Sequence, residues 1–504
     1  MSTIQPRSGH SAAGYDLLAM KKRQSSRNLV VMSWTLPLLI FVIATFLREA
    51  TFSPALILLG LTIAAYFGLL FSTLSDQPEE IFELDKVFLV IFGYYTVLPF
   101  AAYTIHPEIS IGAVMSLDMI EYNLPALVCI ALALAGIIIG MRLPFGRKVA
   151  DRIPSFAPIW NRNEGVQLSV MIICFGLALY LYLIYEIGVE VYLNASYVET
   201  YQLAIGKGYL GIGVVFIQIG ILLLYTALTD EENPYPWLPL LAMVLFTATT
   251  FRLGRRSIVL ETVLGLLAIK HFHAGRIRRG WMLVVTFLFM VGMVVIGQAR
   301  SSMNQGLTGM VEYIQYDFST DDLWNFFNEG AAVPFSVDEV TKMIPQHMSY
   351  QWGKTYIQTF EMLVPRAIYP DRPLSQSEWF AQEVAPDVAA QGGGFSFSHI
   401  AEGYVNFGYI GVFMVCFGIG FFINCMVQYR RLHPRSKSVV FLYGIVSTSL
   451  IAMNRGDSAM VLKTLMLCTW LPALLAVLWL GRNEFRSNRA LIGRPQQDPV
   501  RHSG

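Results

Sequence analysis

Charge is scarce in this chain of 504 residues: 14% are Asp, Glu, Lys or Arg, against 55% hydrophobic. So little charge cannot cover a water-soluble surface, which excludes an ordinary soluble domain and leaves a polytopic membrane protein. Cysteine is scarce as well. Cys129, Cys174, Cys416, Cys425 and Cys468 all lie in apolar segments, without a short-spaced pair or a neighbouring histidine. That excludes a disulfide framework and a thiolate metal centre, and the five read as small buried hydrophobes. A net charge of +1 gives no bulk attraction for nucleic acid, so only the distribution of charge carries information.

Long apolar runs are what the chain has instead. A helix needs roughly 20 apolar residues to cross the hydrocarbon core. Candidate spans fall at about 29–47, 52–74, 87–105, 124–141, 166–187, 209–228, 236–251, 257–272, 281–298, 407–428, 438–454 and 458–480. The pattern predicts an all-α polytopic membrane protein of about twelve transmembrane helices. The first run lacks a small-residue cleavage site, so residues 1–28 are expected to form a cytoplasmic tail ahead of an uncleaved first helix.

Lysine and arginine collect in cytoplasmic loops. With the N-terminus inside, 24 of the 36 basic residues fall on that side, among them Arg142, Arg147, Arg430 and Arg431. Both termini, the second being residues 481–504, are therefore expected in the cytoplasm. Spans one to nine occupy 29–298 and spans ten to twelve occupy 407–480; between them, residues 299–406 form one large outer loop. Stretches around 311–328 and 347–364, as in "HMSYQWGKTYIQTFEML", space apolar residues helically and predict short helices over the outer mouth. Asp317, Asp321, Asp322, Glu329, Asp338 and Glu339 read as a solvated acidic face.

The basic residues that defy the inside bias point toward chemistry. Arg252, Arg255 and Arg256, in "TFRLGRRSIVL", fall at the outer boundary, as do Arg366, Arg372 and Arg455. Like charges stacked at helical spacing repel unless an anion lies between them. A lone arginine can instead snorkel to water. A group of them offers planar forks of donors suited to phosphate oxygens, so a lipid-linked phosphate or pyrophosphate is the expected ligand. Glu261 and Lys463 lie at comparable depth in spans eight and twelve; they form an ion pair, or Lys463 also faces the anion.

Where the large loop returns, "GGGFSFSHIAEGYVNFGYIG" places His399 and Glu402 on one face of a helix start, after glycines that permit a close approach or a plain hinge. Transfer to a hydroxyl needs a general base, and either side chain could serve; Glu402 could equally bind sugar or cap the helix. Trp324, Trp352, Tyr356 and Trp379 could stack on sugar rings or anchor the loop at the interface.

Three stretches together, "FSFSHIAEGYVNFGYIG" at 395–411, "LVPRAIYPDRP" at 363–373 and "RGDSAMVLK" at 455–463, resemble the O-antigen polymerase (Wzy-type) family of oligosaccharide repeat-unit polymerases. The resemblance implies a GT-C-like glycosyltransferase of the bacterial inner membrane, acting at its periplasmic face on undecaprenyl-pyrophosphate-linked oligosaccharides. It implies no cofactor, no metal and no nucleotide sugar, with a flippase and a chain-length regulator as working partners. By position, Arg366 and Arg372 fall in the proline-flanked motif, and Glu402, Tyr404 and Asn406 in the return motif. Arg255, Arg256 and Arg455 fit the family's use of outer-face arginines to hold anionic substrate. An O-antigen ligase, using a lipid A core acceptor, shares this topology. A flippase for the same lipids would instead line its midplane with charge.

Overall fold

The computed structural model describes residues 53–105, 124–154, 156, 160–194, 203, 207–229, 237–251, 256–278, 280, 320–364, 368–390 and 395–492. Every regular element among the described residues is a helix, and none is a strand. Nine helices among them are long and apolar enough to cross a membrane. They are α1 (Pro54–Ser75), α2 (Leu84–Ala102), α3 (Leu124–Arg142), α4 (Arg162–Ile187), α5 (Tyr209–Leu228), α7 (Ser257–Ala274), α11 (His399–Leu432), α12 (Lys437–Arg455) and α13 (Ser458–Arg482). Helix α6 (Leu238–Phe251), expected as a span, is shorter. The expected spans at 29–47 and 281–298, and both tails beyond residue 492 and before residue 53, lie outside the described residues.

The bundle has two apolar cores. One gathers side chains of α1, α2, α3, α11 and α8 (Thr320–Met343); the other gathers α4, α5, α7 and α13. Helix α12 contributes to both, and 89% of its apolar window is buried, against 22% for α4. Thus α12 is the central post and α4 faces lipid. Among the cysteines Cys129, Cys416 and Cys425 are buried as expected; Cys174, on α4, is exposed because its helix packs by only one side.

Close helix contact in a membrane comes from small residues, because lipid is as apolar as a leucine core. In "GIIIG", Gly136 and Gly140 of α3 lie directly against the α11 backbone: a Cβ on Gly136 would sit 2.6 Å from the Phe413 carbonyl, and one on Gly140 2.6 Å from the Phe421 nitrogen. Gly140→Leu is therefore expected to push α3 off α11 and abolish the monodisperse peak in size-exclusion chromatography, whereas Ile139→Leu, on the exposed side, should leave it unchanged.

At the far end of α11 the chain buries charge. Glu83, fully buried ahead of α2, accepts from Arg430 at 3.0 Å and twice from Arg431, at 2.7 Å each. Lys86 Nζ donates to the carbonyls of Gln77 and Glu80, and Arg430 stacks 4.1 Å from the Phe272 ring centroid. Arg430 and Arg431 thus do more than sit in a loop: they clamp α2 to the end of α11. Removing one partner strands the other charges, which costs about 3–5 kcal/mol. Glu83→Ala should lower the thermal unfolding midpoint markedly, and Glu83→Gln by less.

Between α7 and α11 lie α8, α9 (Lys354–Glu361) and α10 (Gln376–Val384). Helix α8 is longer than the short helix expected near 311–328, and part of it is core. Asp338 is buried and pairs with Lys342 at 2.6 Å, so the expected solvated acidic face does not extend to it. The reason is packing: Gly330 sits against the Tyr94 carbonyl, which draws α8 onto α2.

Candidate active site

Helix α11 is bent where it meets the loop. Ser398 caps it, its hydroxyl accepting from the Ala401 nitrogen at 3.3 Å. Regular geometry then fails at Phe407 and at Gly408, whose φ of 60° and ψ of −146° suit only glycine. Across the bend Gly403 packs on Gly411, leaving no room for a Cβ on Gly411 and little on Gly403. The first two turns, which carry His399, Glu402, Tyr404 and Asn406, are thereby tipped away from the spanning part and under the loop.

The tract "RGDS" makes the second wall. Arg455 ends α12, Gly456 leaves the helix, and Asp457 caps α13 by accepting from the Met460 nitrogen at 2.9 Å. The other Asp457 oxygen accepts from the nitrogens of Gln376, at 3.0 Å, and Ser377, so one carboxylate caps α13 and α10 together. Burial pushes this carboxyl above the usual range, opposed by those backbone donors.

Helix α9 is the third wall, and Glu402 joins all three. Its Oε1 accepts from the Thr355 hydroxyl at 2.7 Å and the Ser458 hydroxyl at 2.6 Å; its Oε2 accepts from the Ser458 nitrogen at 2.7 Å. Asn406 extends the network. It donates to Thr355 Oγ1 at 2.6 Å and to the Glu402 carbonyl, and accepts from the Gly353 nitrogen at 2.9 Å. The hydroxyls of Thr359 and Ser458 lie 2.7 Å apart. Glu402 and Asn406 are both at most 1% exposed. Their polar atoms are engaged within the protein, an arrangement that fastens the loop to the bundle.

The other expected site residues divide. Tyr404 is buried and donates to the Ile344 carbonyl at 3.2 Å. Tyr356 stacks on Phe407, and its buried hydroxyl makes no hydrogen bond of good geometry; burial beside Glu402 pushes that phenol above its usual range. Trp352 is 75% exposed and is held by its backbone nitrogen to the Asn406 carbonyl. His399 is buried against Met453, both ring nitrogens outside hydrogen-bond geometry.

Of the arginines, Arg455 is half-buried; its Nε donates to the Ser396 hydroxyl at 3.2 Å, and its Nη groups make no hydrogen bond among the described residues. Glu261 lies within its electrostatic reach. Arg372 instead turns inward, its Nη1 donating to the carbonyls of Met362 and Val364 at 2.8 and 3.1 Å. Arg252, Arg255 and Arg366 lie outside the described residues, as do Gly392, Gly393 and Gly394; of Arg256 only the backbone is described, at the start of its helix. Lys463 is exposed and forms no ion pair with Glu261, because the helix turns it outward. No three His, Cys, Asp or Glu side chains among the described residues come together as metal ligands.

Thr355, Thr359, Ser396 and Ser458 are residues of the candidate site that residue chemistry alone passed over. Two threonines four apart on α9 put two hydroxyls on one face, a signal present in the sequence but shared by many helices. The arrangement as a whole places a half-buried guanidinium, its Nη donors unused by the described residues, at the junction with an anchored loop that also carries the exposed ring of Trp352. Such a site can hold an anionic lipid-linked group and, next to it, a glycan.

No curated protein and no solved structure matches this chain. The profile of the family described as O-antigen polysaccharide polymerase Wzy matches residues 29–483, nearly its whole length. The chain therefore belongs to the Wzy family of O-antigen polysaccharide polymerases, multi-pass membrane proteins of polysaccharide biosynthesis that join lipid-linked repeat units.

Proposed function

We propose that this polymerase transfers the growing glycan from undecaprenyl pyrophosphate to the non-reducing end of a new lipid-linked repeat unit at the periplasmic face of the inner membrane. The sugar–oxygen bond to pyrophosphate breaks, a glycosidic bond to the acceptor oxygen forms, and undecaprenyl pyrophosphate leaves. The observation that carries this reading is the half-buried Arg455 guanidinium with its two Nη groups unused by the described residues.

Charge develops on the leaving pyrophosphate in a place poor in water, where preorganised donors stabilise it most. Arg455 supplies them, and we assign Arg252, Arg255, Arg256 and Arg366 to the same role from their place in the sequence. Arg372 serves the loop backbone instead. His399, buried against the Met453 backbone, accepts the proton of the acceptor hydroxyl in this reading. Glu402 is a positioning residue: through Ser458 and Thr355 it ties the Arg455 turn to α9, with Tyr404 and Asn406 as further ties. Trp352 offers its exposed ring to a sugar face.

The test is reconstitution in nanodiscs with the cognate lipid-linked repeat unit, without nucleotide sugar or divalent metal. A ladder of glycan multiples on a gel is the expected outcome. Transfer to lipid A core in place of a ladder would make the protein a ligase, and no transfer to either acceptor would overturn the enzymatic reading.

A further inference from the structure

At the end of the bundle opposite Glu402, four helix ends meet around a cavity of about 250 Å³. Twenty residues of α11 beyond the bend, 409–428, place it roughly 30 Å from the bend at 1.5 Å per residue. Its charged lining is balanced: Asp76 and Asp85 against Arg142 and Arg431. Those charges are not equally spent. Arg431 is committed to buried Glu83. Arg142 is exposed and donates only to the Ser72 hydroxyl, at 2.9 Å, and Asp85 accepts the Lys86 nitrogen but makes no ion pair with a described residue. One cation and one carboxylate therefore line the same cavity, neither in a direct ion pair with a described residue, although Asp85 lies within electrostatic reach of Lys86 and Arg431.

The remaining lining decides what fits between them. Leu69, Met141 and Val427 form an apolar wall, and Phe71 and Ile139, at the same level of α1 and α3, are 46% and 47% exposed. That surface continues from the cavity onto the lipid-facing side of the bundle. No aromatic ring lines the cavity, so a quaternary ammonium lacks the cage it would need. Two carboxylates repel a purely anionic headgroup. A primary ammonium, a compact point charge with three donors, suits Asp85, and a phosphate suits the planar fork of Arg142.

We infer that this cavity is a binding site for the zwitterionic headgroup of phosphatidylethanolamine, phosphate on Arg142 and ammonium on Asp85, with its acyl chains along Phe71 and Ile139. The site is independent of the polymerisation chemistry and lies at the other end of the bundle. Its occupation would brace the ends of α1, α2, α3 and α11 against one another, next to the Glu83 clamp.

The test uses the full-length detergent-purified protein, stripped of lipid and titrated with short-chain phosphatidylethanolamine, phosphatidylglycerol, phosphatidylcholine and free phosphoethanolamine, following bound lipid by native mass spectrometry and the unfolding midpoint. Phosphatidylethanolamine alone should be retained and raise the midpoint. Asp85→Asn and Arg142→Gln should each weaken it about tenfold, the loss of one charge-assisted contact. Because Arg142 is exposed, its variant folds and decides the matter even where Asp85→Asn does not. Equal retention of phosphatidylglycerol, or unchanged retention by Arg142→Gln, overturns the site. Free phosphoethanolamine binding as tightly as the lipid overturns the membrane-lipid assignment.

Discussion

Arg455→Ala is expected to abolish the glycan ladder, lowering kcat/KM by about 10²–10³-fold, the usual loss when one preorganised donor to a developing oxyanion is removed. The variant should fold, since only one side-chain hydrogen bond, to Ser396, is lost from the described structure. Arg455→Lys keeps the charge but replaces a planar fork by a point charge, so it should recover part of the rate and not all of it. Ladder assays over a range of repeat-unit concentrations check this. An Arg455→Ala enzyme that polymerises at the parental rate would move the pyrophosphate site elsewhere.

The second large effect separates the two tasks open to Glu402. Glu402→Ala strands the partly buried Ser458 nitrogen and deprives the Thr355 and Ser458 hydroxyls of their acceptor. The stranded N–H alone costs about 1–3 kcal/mol. This variant is expected to lose polymerisation and to expose the segment between α8 and α11 to protease. Glu402→Gln behaves differently. Its amide oxygen can still accept from the Ser458 nitrogen, while its NH₂ donates to hydroxyls that rotate to accept. The junction survives, so activity within about threefold of the parent is expected of a positioning residue, against the 10²-fold or greater loss expected of a general base. His399→Gln should show that larger loss with the loop intact.

Much of the architecture was legible because membrane spans announce themselves by length and composition. The nine described spans fall where apolar runs of sufficient length predict them. The "NRGDS" reversal is likewise local chemistry: glycine to leave one helix, aspartate to cap the next. The acidic stretch misled because Asp338 looks like any surface carboxylate until α8 is seen packed on α2. Arginines sort the same way. Arg372 and Arg455 are chemically identical in the sequence, yet one is spent on the carbonyls of Met362 and Val364 and the other is half-buried with Nη donors unused by the described residues.

The sequence by itself determined that the chain is a helical membrane protein, roughly where its nine described spans lie, and which short stretches resemble its family, since each of these depends on residues close together along the chain. Tertiary structure decided that Glu402 is held by Thr355 and Ser458, 47 and 56 residues away, that Arg430 and Arg431 close on Glu83, and that Asp85 and Arg142 share a cavity. Those pairings arise from how helices cross, and helix crossing is set by close contacts such as Gly140 on α11, which no periodicity within one helix encodes.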